Sequence, residues 1–273
     1  MKKIVVLAVV ALFTLTGLSF ADSKVKGAVI NKSNVKNAAN IAIGKDNTAN
    51  MGSVKIKDSN VKGAVINKSN VKNAANIAIG KGNTANMGSV NVEGSKVKGA
   101  VINKSNVKNA ANIAIGKGNT ANMGSVNIKD SNVKGAVINK SNVKNAANIA
   151  IGKGNTANMG SVNVEGSKVK GAVINKSNVK NAANIAIGKD NTANMGSVNI
   201  QDSKVKGAVI NKSNVKNAAN IAIGKGNTAN MGSVNIQDSQ VKGAVINKSN
   251  VKNAANIAIG KDNTANMGSV DVQ

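Results

Sequence analysis

Apolar and polar positions alternate along most of this chain in short runs set off by polar turns. In NKSNVKNAANIAI (31–43), Val35, Asn37, Ala39, Ile41 and Ile43 share one face of an extended strand, and Lys36, Ala38, Asn40 and Ala42 the other. In GKDNTANMGSVKI (44–56) the matching faces carry Thr48, Asn50, Gly52, Val54 and Ile56, then Ala49, Met51, Ser53 and Lys55. A shorter run, KDSNVKGAVI (57–66), sets Val61, Gly63 and Val65 against Lys62, Ala64 and Ile66. Each run opens on a polar turn: Lys32-Ser33-Asn34, Lys45-Asp46-Asn47 or Asp58-Ser59-Asn60. A period of two bounded by turn residues predicts turn-plus-strand units. The Asn, Gly and β-branched content argues against a helix over 38–43.

The three runs form a 36-residue unit that occurs seven times, at 22–57, 58–93, 94–129, 130–165, 166–201, 202–237 and 238–273. Thirty of the 36 positions are identical in all seven copies. The six that vary are those of Asp22, Lys24, Asp46, Lys55, Ile56 and Lys57, clustered where two runs join. A period of this length marks a solenoid or array. One unit cannot bury its apolar face alone, but stacked copies can. The expected fold is all-β: a β-solenoid or cross-β stack with one three-strand layer per repeat. Seven layers at strand spacing give a stack roughly 34 Å tall. A triangular coil and a Greek-key-like layer with one strand sandwiched between two others both fit the pattern. Small apolar residues on the second face (Ala38, Ala42, Ala49, Met51, Ala64, Ile66) favour the layer.

In such a stack each residue lies on its own counterpart. Val35, Ile41, Ile43, Val54 and Val65 are the expected stacking core. Asn37 and Asn50, mid-strand on the apolar face, are placed to form amide ladders along the axis. Asn34 and Asn47 fit ordinary turn chemistry. Stacked lysines repel if buried, so Lys26, Lys32, Lys36 and Lys45 are expected to line a solvated flank. Glu93, Glu165, Asp46 and Asp58 relieve part of that repulsion.

Composition narrows the function. Of 273 residues 37 are basic, all lysine, and 11 acidic, and His, Cys, Pro, Trp and Tyr are absent. The two phenylalanines, Phe13 and Phe20, lie near the start. No imidazole or thiol is present for zinc or for nucleophilic catalysis, and no aromatic platform for stacking bases after residue 20. GKDN and GKGN lack the spacing of a phosphate loop. One aspartate at most per turn is a poor calcium loop. One threonine per repeat, Thr48 in the first, is too sparse for an ice-binding array. The expectation is a non-enzyme without catalytic, cofactor or metal residues.

Lys2 and Lys3, the apolar stretch Ile4 to Leu18, and Ser19-Phe20-Ala21 have the layout of a secretory signal peptide cut after Ala21. The apolar run is short for a membrane anchor, and no later stretch is apolar enough to span a bilayer as a helix. The 252 residues after the cut carry 35 lysines against 11 acidic groups, a net charge of +24. Non-specific, salt-sensitive polyanion binding follows from that charge alone.

A leader followed by Asn-, Gly-, Ala- and Val-rich repeats without cysteine resembles a bacterial functional-amyloid fibre subunit. The plan is that of curli, without the regularly placed glutamines. Stretches such as NAANIAIGKDNTAN (37–50) are closer to Fap-type subunits. IAIGKDNTA (41–49) is also similar to the β-roll heads of trimeric autotransporter adhesins. The heavy lysine load, the lack of long linkers and the lack of a C-terminal Cys-X-X-Cys depart from the Fap pattern. The resemblance implies a secreted subunit that crosses the outer membrane through a dedicated channel, with a minor nucleator subunit as a further partner. It would polymerise head to tail into extracellular fibres of a biofilm matrix or adhesive surface. The alternatives are a monomeric cationic solenoid that coats extracellular DNA or acidic polysaccharide, and a surface adhesin.

Overall fold

The computed structural model describes residues 10–12, 18–22 and 24–272, and every element among them is a strand. The second repeat shows the plan. A long strand, Val65–Lys81, is followed by Thr84–Met87, Val90–Glu93 and Lys96–Val97 before the next long strand begins at Val101. Each strand pairs in parallel with its counterpart 36 residues on, as in Val65↔Val101, Thr84↔Thr120 and Val90↔Val126. The backbone hydrogen bonds therefore run along the stack, and each repeat is one turn of a parallel β-solenoid of about seven turns. The short strand Thr84–Met87 is buried on both faces, packed between the arm that carries Asn76 and the strand that carries Asn91, so one strand of each rung is sandwiched as the layer expectation has it.

The rung differs in detail from three similar strands. Its longest strand has 17 residues and bends at Asn37, whose φ of 52° is left-handed, as it is at the equivalent Asn73 and Asn109. The ladder skips this residue, passing from Lys36↔Lys72 to Ala38↔Ala74. Asparagine tolerates the left-handed region better than other side chains with a Cβ, so the strand turns a corner without leaving its sheet. In the last two repeats the long strand is split, into Val209–Asn211 and Asn214–Lys225, then Val245–Asn247 and Asn250–Lys261.

The left-handed residue at this corner also resets which alternate positions point inward. Before the corner the buried positions of the second repeat are Val65, Asn67, Ser69 and Val71; after it they are Ala74, Asn76 and Ala78. Strict alternation through Asn37 puts Ile41 and Ile43 in the core, and this is corrected: they are 50% and 63% exposed. The same reset occurs at Gly52 (φ 56°), which separates buried Met51 from buried Val54 and Ile56.

Two apolar cores run the length of the stack. One is built from columns such as Val54, Ile56, Val61 and Val65. The other is built from columns such as Val71, Ala74 and Met87. Between them lies a polar seam, where Asn67 donates to the Ser89 carbonyl at 3.5 Å. There the walls come so close that a Cβ on Gly88 would sit 2.7 Å from Ser69 Oγ.

Most of the proposed leader, residues 1–9 and 13–17, lies outside the described residues. Its described pieces, Val10–Leu12 and Leu18–Ala21, are short strands laid on the first repeat, Val10 opposite Ile30 and Leu18 opposite Val54.

Candidate functional site

The site this architecture offers is the stacking face itself, the surface each rung presents to the next. Its apolar part contains Val35, Val54 and Val65, all 1% exposed or less. Ile41 and Ile43 lie instead on the outer surface of the arm after the Asn37 corner.

Both expected amide ladders are present, in different settings. Asn73 Nδ2 donates to Asn37 Oδ1 at 2.9 Å, in the open at the corner. Asn86 Nδ2 donates to Asn50 Oδ1 at 2.7 Å, partly buried. Asn34 also forms a ladder, receiving Asn70 Nδ2 at 3.2 Å, and this corrects the expected turn at Lys32-Ser33-Asn34: all three lie inside the continuous strand Val29–Lys45. Asn47 acts at the turn: its backbone N–H donates to Asn83 Oδ1 at 2.8 Å.

Deeper ladders lie where the alternation had not singled them out. Asn31 donates to Asn67 at 2.9 Å and Asn67 to Asn103 at 3.0 Å, within the seam. Asn76 donates to Asn112 at 2.7 Å and also to the Ala85 carbonyl at 2.8 Å across the coil. An asparagine on an inward position is costly to bury unless it is paired. A stack of identical rungs supplies the partner above and below each one. The available sequence signal was the invariance of these asparagines in all seven copies.

Lys26, Lys32, Lys36 and Lys45 are all exposed in the first rung, and their counterparts form columns along the flanks. Where the repeats vary, charge changes from rung to rung. The column of Lys57 reads Lys57, Glu93, Lys129, Glu165, Gln201, Gln237, Gln273. Lys129 Nζ and Glu165 Oε1 are 3.4 Å apart in it. Asp58 and Asp130 are each followed by a glycine, Gly94 and Gly166. A Cβ on Gly94 would lie 2.1 Å from Asp58 Oδ1, so each carboxylate leans over the glycine above it. Over the first five copies, lysine over glutamate and aspartate over glycine keep most like charges in these two columns from stacking directly. This alternation has a reason only if the rungs stack in register.

One variable column carries opposite charges at its two ends. Lys55 stands in the first rung, Asn91, Asn127, Asn163, Asn199 and Asn235 in the next five, and Asp271 in the seventh. Lys55 is half-buried and its Nζ donates to Thr48 Oγ1 at 3.0 Å. Burial pushes its ammonium below the usual lysine value; the Glu93 carboxylate opposes this and Lys57 adds to it.

Two shallow open grooves follow the stack. One runs past the turn columns of Asp58, Ser59 and Asn60, the other past Asn73, Ala74 and Ala75 at the corner. Among the described residues no group of three or more acidic side chains is placed to hold a metal ion, and no helix is long and apolar enough to cross a membrane. No family model matches the chain, and neither a curated protein nor a solved structure is similar to it.

Proposed function

We propose that this protein is a secreted, self-assembling structural subunit that builds extracellular amyloid-like fibres. The observation that carries this reading is the in-register parallel stack of near-identical rungs, whose seventh rung has the pairing groups of the inner ones. The seventh rung pairs with the sixth at Asn214↔Asn250 and Thr228↔Thr264. Its other face carries the same strand edges, with Val270 49% exposed. Such an edge is a template for further strands. A contact between opposite ends does not close, so repetition gives an open filament. Buried amide ladders add directional pairing that a new rung can continue. The signal-like residues 1–21 support export, and the protein acts through its shape rather than by catalysis.

The test is made on purified chain that begins at Asp22. Fibres seen by electron microscopy, thioflavin binding and cross-β reflections near 4.8 Å are expected, that spacing being the strand separation. A protein that stays monomeric at high concentration without those reflections overturns the reading.

The columns of exposed lysine support a second reading, in which the solenoid coats polyanions such as extracellular DNA or acidic polysaccharide. Lysine without arginine gives point charges rather than bidentate forks. Binding would then be non-specific and would weaken steeply with salt. Affinity that survives high salt counts against it.

A further inference from the structure

We propose that copies of this chain join with Asp271 of one copy set against Lys55 of the next, and that this pair fixes the polarity and register of the joint. The inference rests on the fibre reading and adds to it a defined contact.

The register of the stack dictates the pairing. Lys55 lies opposite Asn91 at one end of its column, and Asn235 opposite Asp271 at the other. Placing the seventh rung of one copy beneath the first rung of another, in the same register, brings Asp271 to Lys55. The five inner rungs carry neutral asparagine in this column, and charge occurs only in its end rungs, with opposite signs. Two first rungs brought together would oppose lysine with lysine, and two seventh rungs aspartate with aspartate. Only the head-to-tail joint is complementary.

Both groups are half-buried, where water screens a charge pair less than at an exposed site. Burial already disfavours the Lys55 ammonium, and an added carboxylate acts against that. The same joint sets Asp238 beside Asp22 and Asp262 beside Asp46. These four carboxylates are exposed, and their repulsion is screened and weak. Asp202 and Asp238 already stand in adjacent rungs. Lys242, Lys248, Lys252 and Lys261 would meet Lys26, Lys32, Lys36 and Lys45, as lysines already do between every two rungs, so the half-buried pair is what distinguishes this joint from an internal one.

The described part of the leader lies on this position. Ser19 is opposite Lys55, with Leu18 on Val54 and Phe20 on Ile56. A chain that keeps residues 18–21 holds them where the preceding copy's last strand would pair. The joint opens when they are removed. The chain from Asp22 onward contains every rung-to-rung interface except these short leader pairings, so it keeps its fold.

Carbodiimide coupling tests the contact, because it links an amine to a carboxylate only where the two touch. Within one copy Lys55 and Asp271 are six rungs apart, roughly 29 Å at strand spacing, so a coupled Lys55–Asp271 peptide is intermolecular. The chain starting at Asp22 is assembled, coupled, digested and read by mass spectrometry, beside the full chain with its leader. The expected result is the Lys55–Asp271 peptide from the shorter chain and several-fold less of it from the full chain. Lys55→Asp and Asp271→Lys each slow fibre growth several-fold, and the double variant recovers it. Fibres that lack the coupled peptide, or a double variant no better than the singles, overturn the joint and leave the fibre reading standing. Equal coupling in the full chain overturns the leader's part. A chain that never assembles overturns the joint and the fibre reading together.

Discussion

Asn112 Nδ2 donates to Asn148 Oδ1 at 2.7 Å in the next rung and to the Ala121 carbonyl at 2.8 Å across the coil. Asn148 in turn donates to Asn184 at 2.7 Å. Asn148→Ala breaks the column on both sides and leaves Asn184 Oδ1 without this donor. The expected cost is about 1–3 kcal/mol, the range for a buried polar group deprived of its partner. Asn148→Asp keeps the shape but buries a carboxylate. Burial raises its folded pKa above the unfolded value, so stability is lost as pH rises through the carboxylate range and regained as pH falls, when the protonated acid can donate to Asn184. Guanidinium midpoints of both variants at neutral pH and near pH 4 check this. If the Asn148→Asp variant shows no recovery in acid, the column does not hold the stack.

The period, the all-β class and the in-register stack are readable from the seven near-identical repeats, because only equal side chains meeting one another rewards such identity. The inward face is readable only between left-handed residues. Alternation places Val35, Val54 and Val65 correctly and fails at Ile41 and Ile43, because Asn37 at φ 52° shifts the count by one. Nothing local separates Asn37 from Asn50, which stays extended: both stand mid-strand beside alanine. Isoleucine on the outside and asparagine on the inside also invert the usual preference. The inversion is possible because the ladder satisfies the amide. The opposite charges of Lys55 and Asp271 are visible in the sequence, but they acquire a meaning only once the register aligns them.

The inner and outer faces of the rung differ in what a lost side chain costs. Met159 is fully buried in the second core, whereas Ile43 is 63% exposed. Met159→Ala is expected to cost about 2–5 kcal/mol through lost burial and a cavity. Ile43→Ser is expected to change stability by no more than about 0.5 kcal/mol, as for an ordinary surface site. Denaturant midpoints of the two variants measure the difference, and equal losses would return Ile43 to the core.

Glycines at two columns have different reasons. A Cβ on Gly135 would lie 2.6 Å from the Ala100 nitrogen and the Gly99 carbonyl group of the rung below, and backbone cannot move aside. Gly118 has φ 66° and nothing within 4 Å of its Cβ position. Its column holds aspartate in other rungs, as at Asp46 and Asp190, both left-handed. Gly135→Ala is therefore expected to cost about 1–3 kcal/mol by overpacking, and Gly118→Asp to stay within about 0.5 kcal/mol of the parent. Melting temperatures order the two, and the reverse order contradicts the close approach of the Gly135 column.

Lys55 should tie stability to pH in the opposite sense to a buried carboxylate. Burial lowers its folded pKa below the ordinary lysine value of 10.5, so the unfolded chain holds this proton more tightly than the folded one. Below the folded value the penalty is fully present. It fades as pH rises through the folded value and is gone above 10.5. Lys55→Asn, which restores the residue of the inner rungs, is therefore expected to be more stable than the parent near neutral pH, with the gain vanishing by about pH 11. The measurement is the difference between the two guanidinium midpoints, followed from neutral pH upward. A difference that stays constant would mean that the substitution acts through packing and not through the buried ammonium.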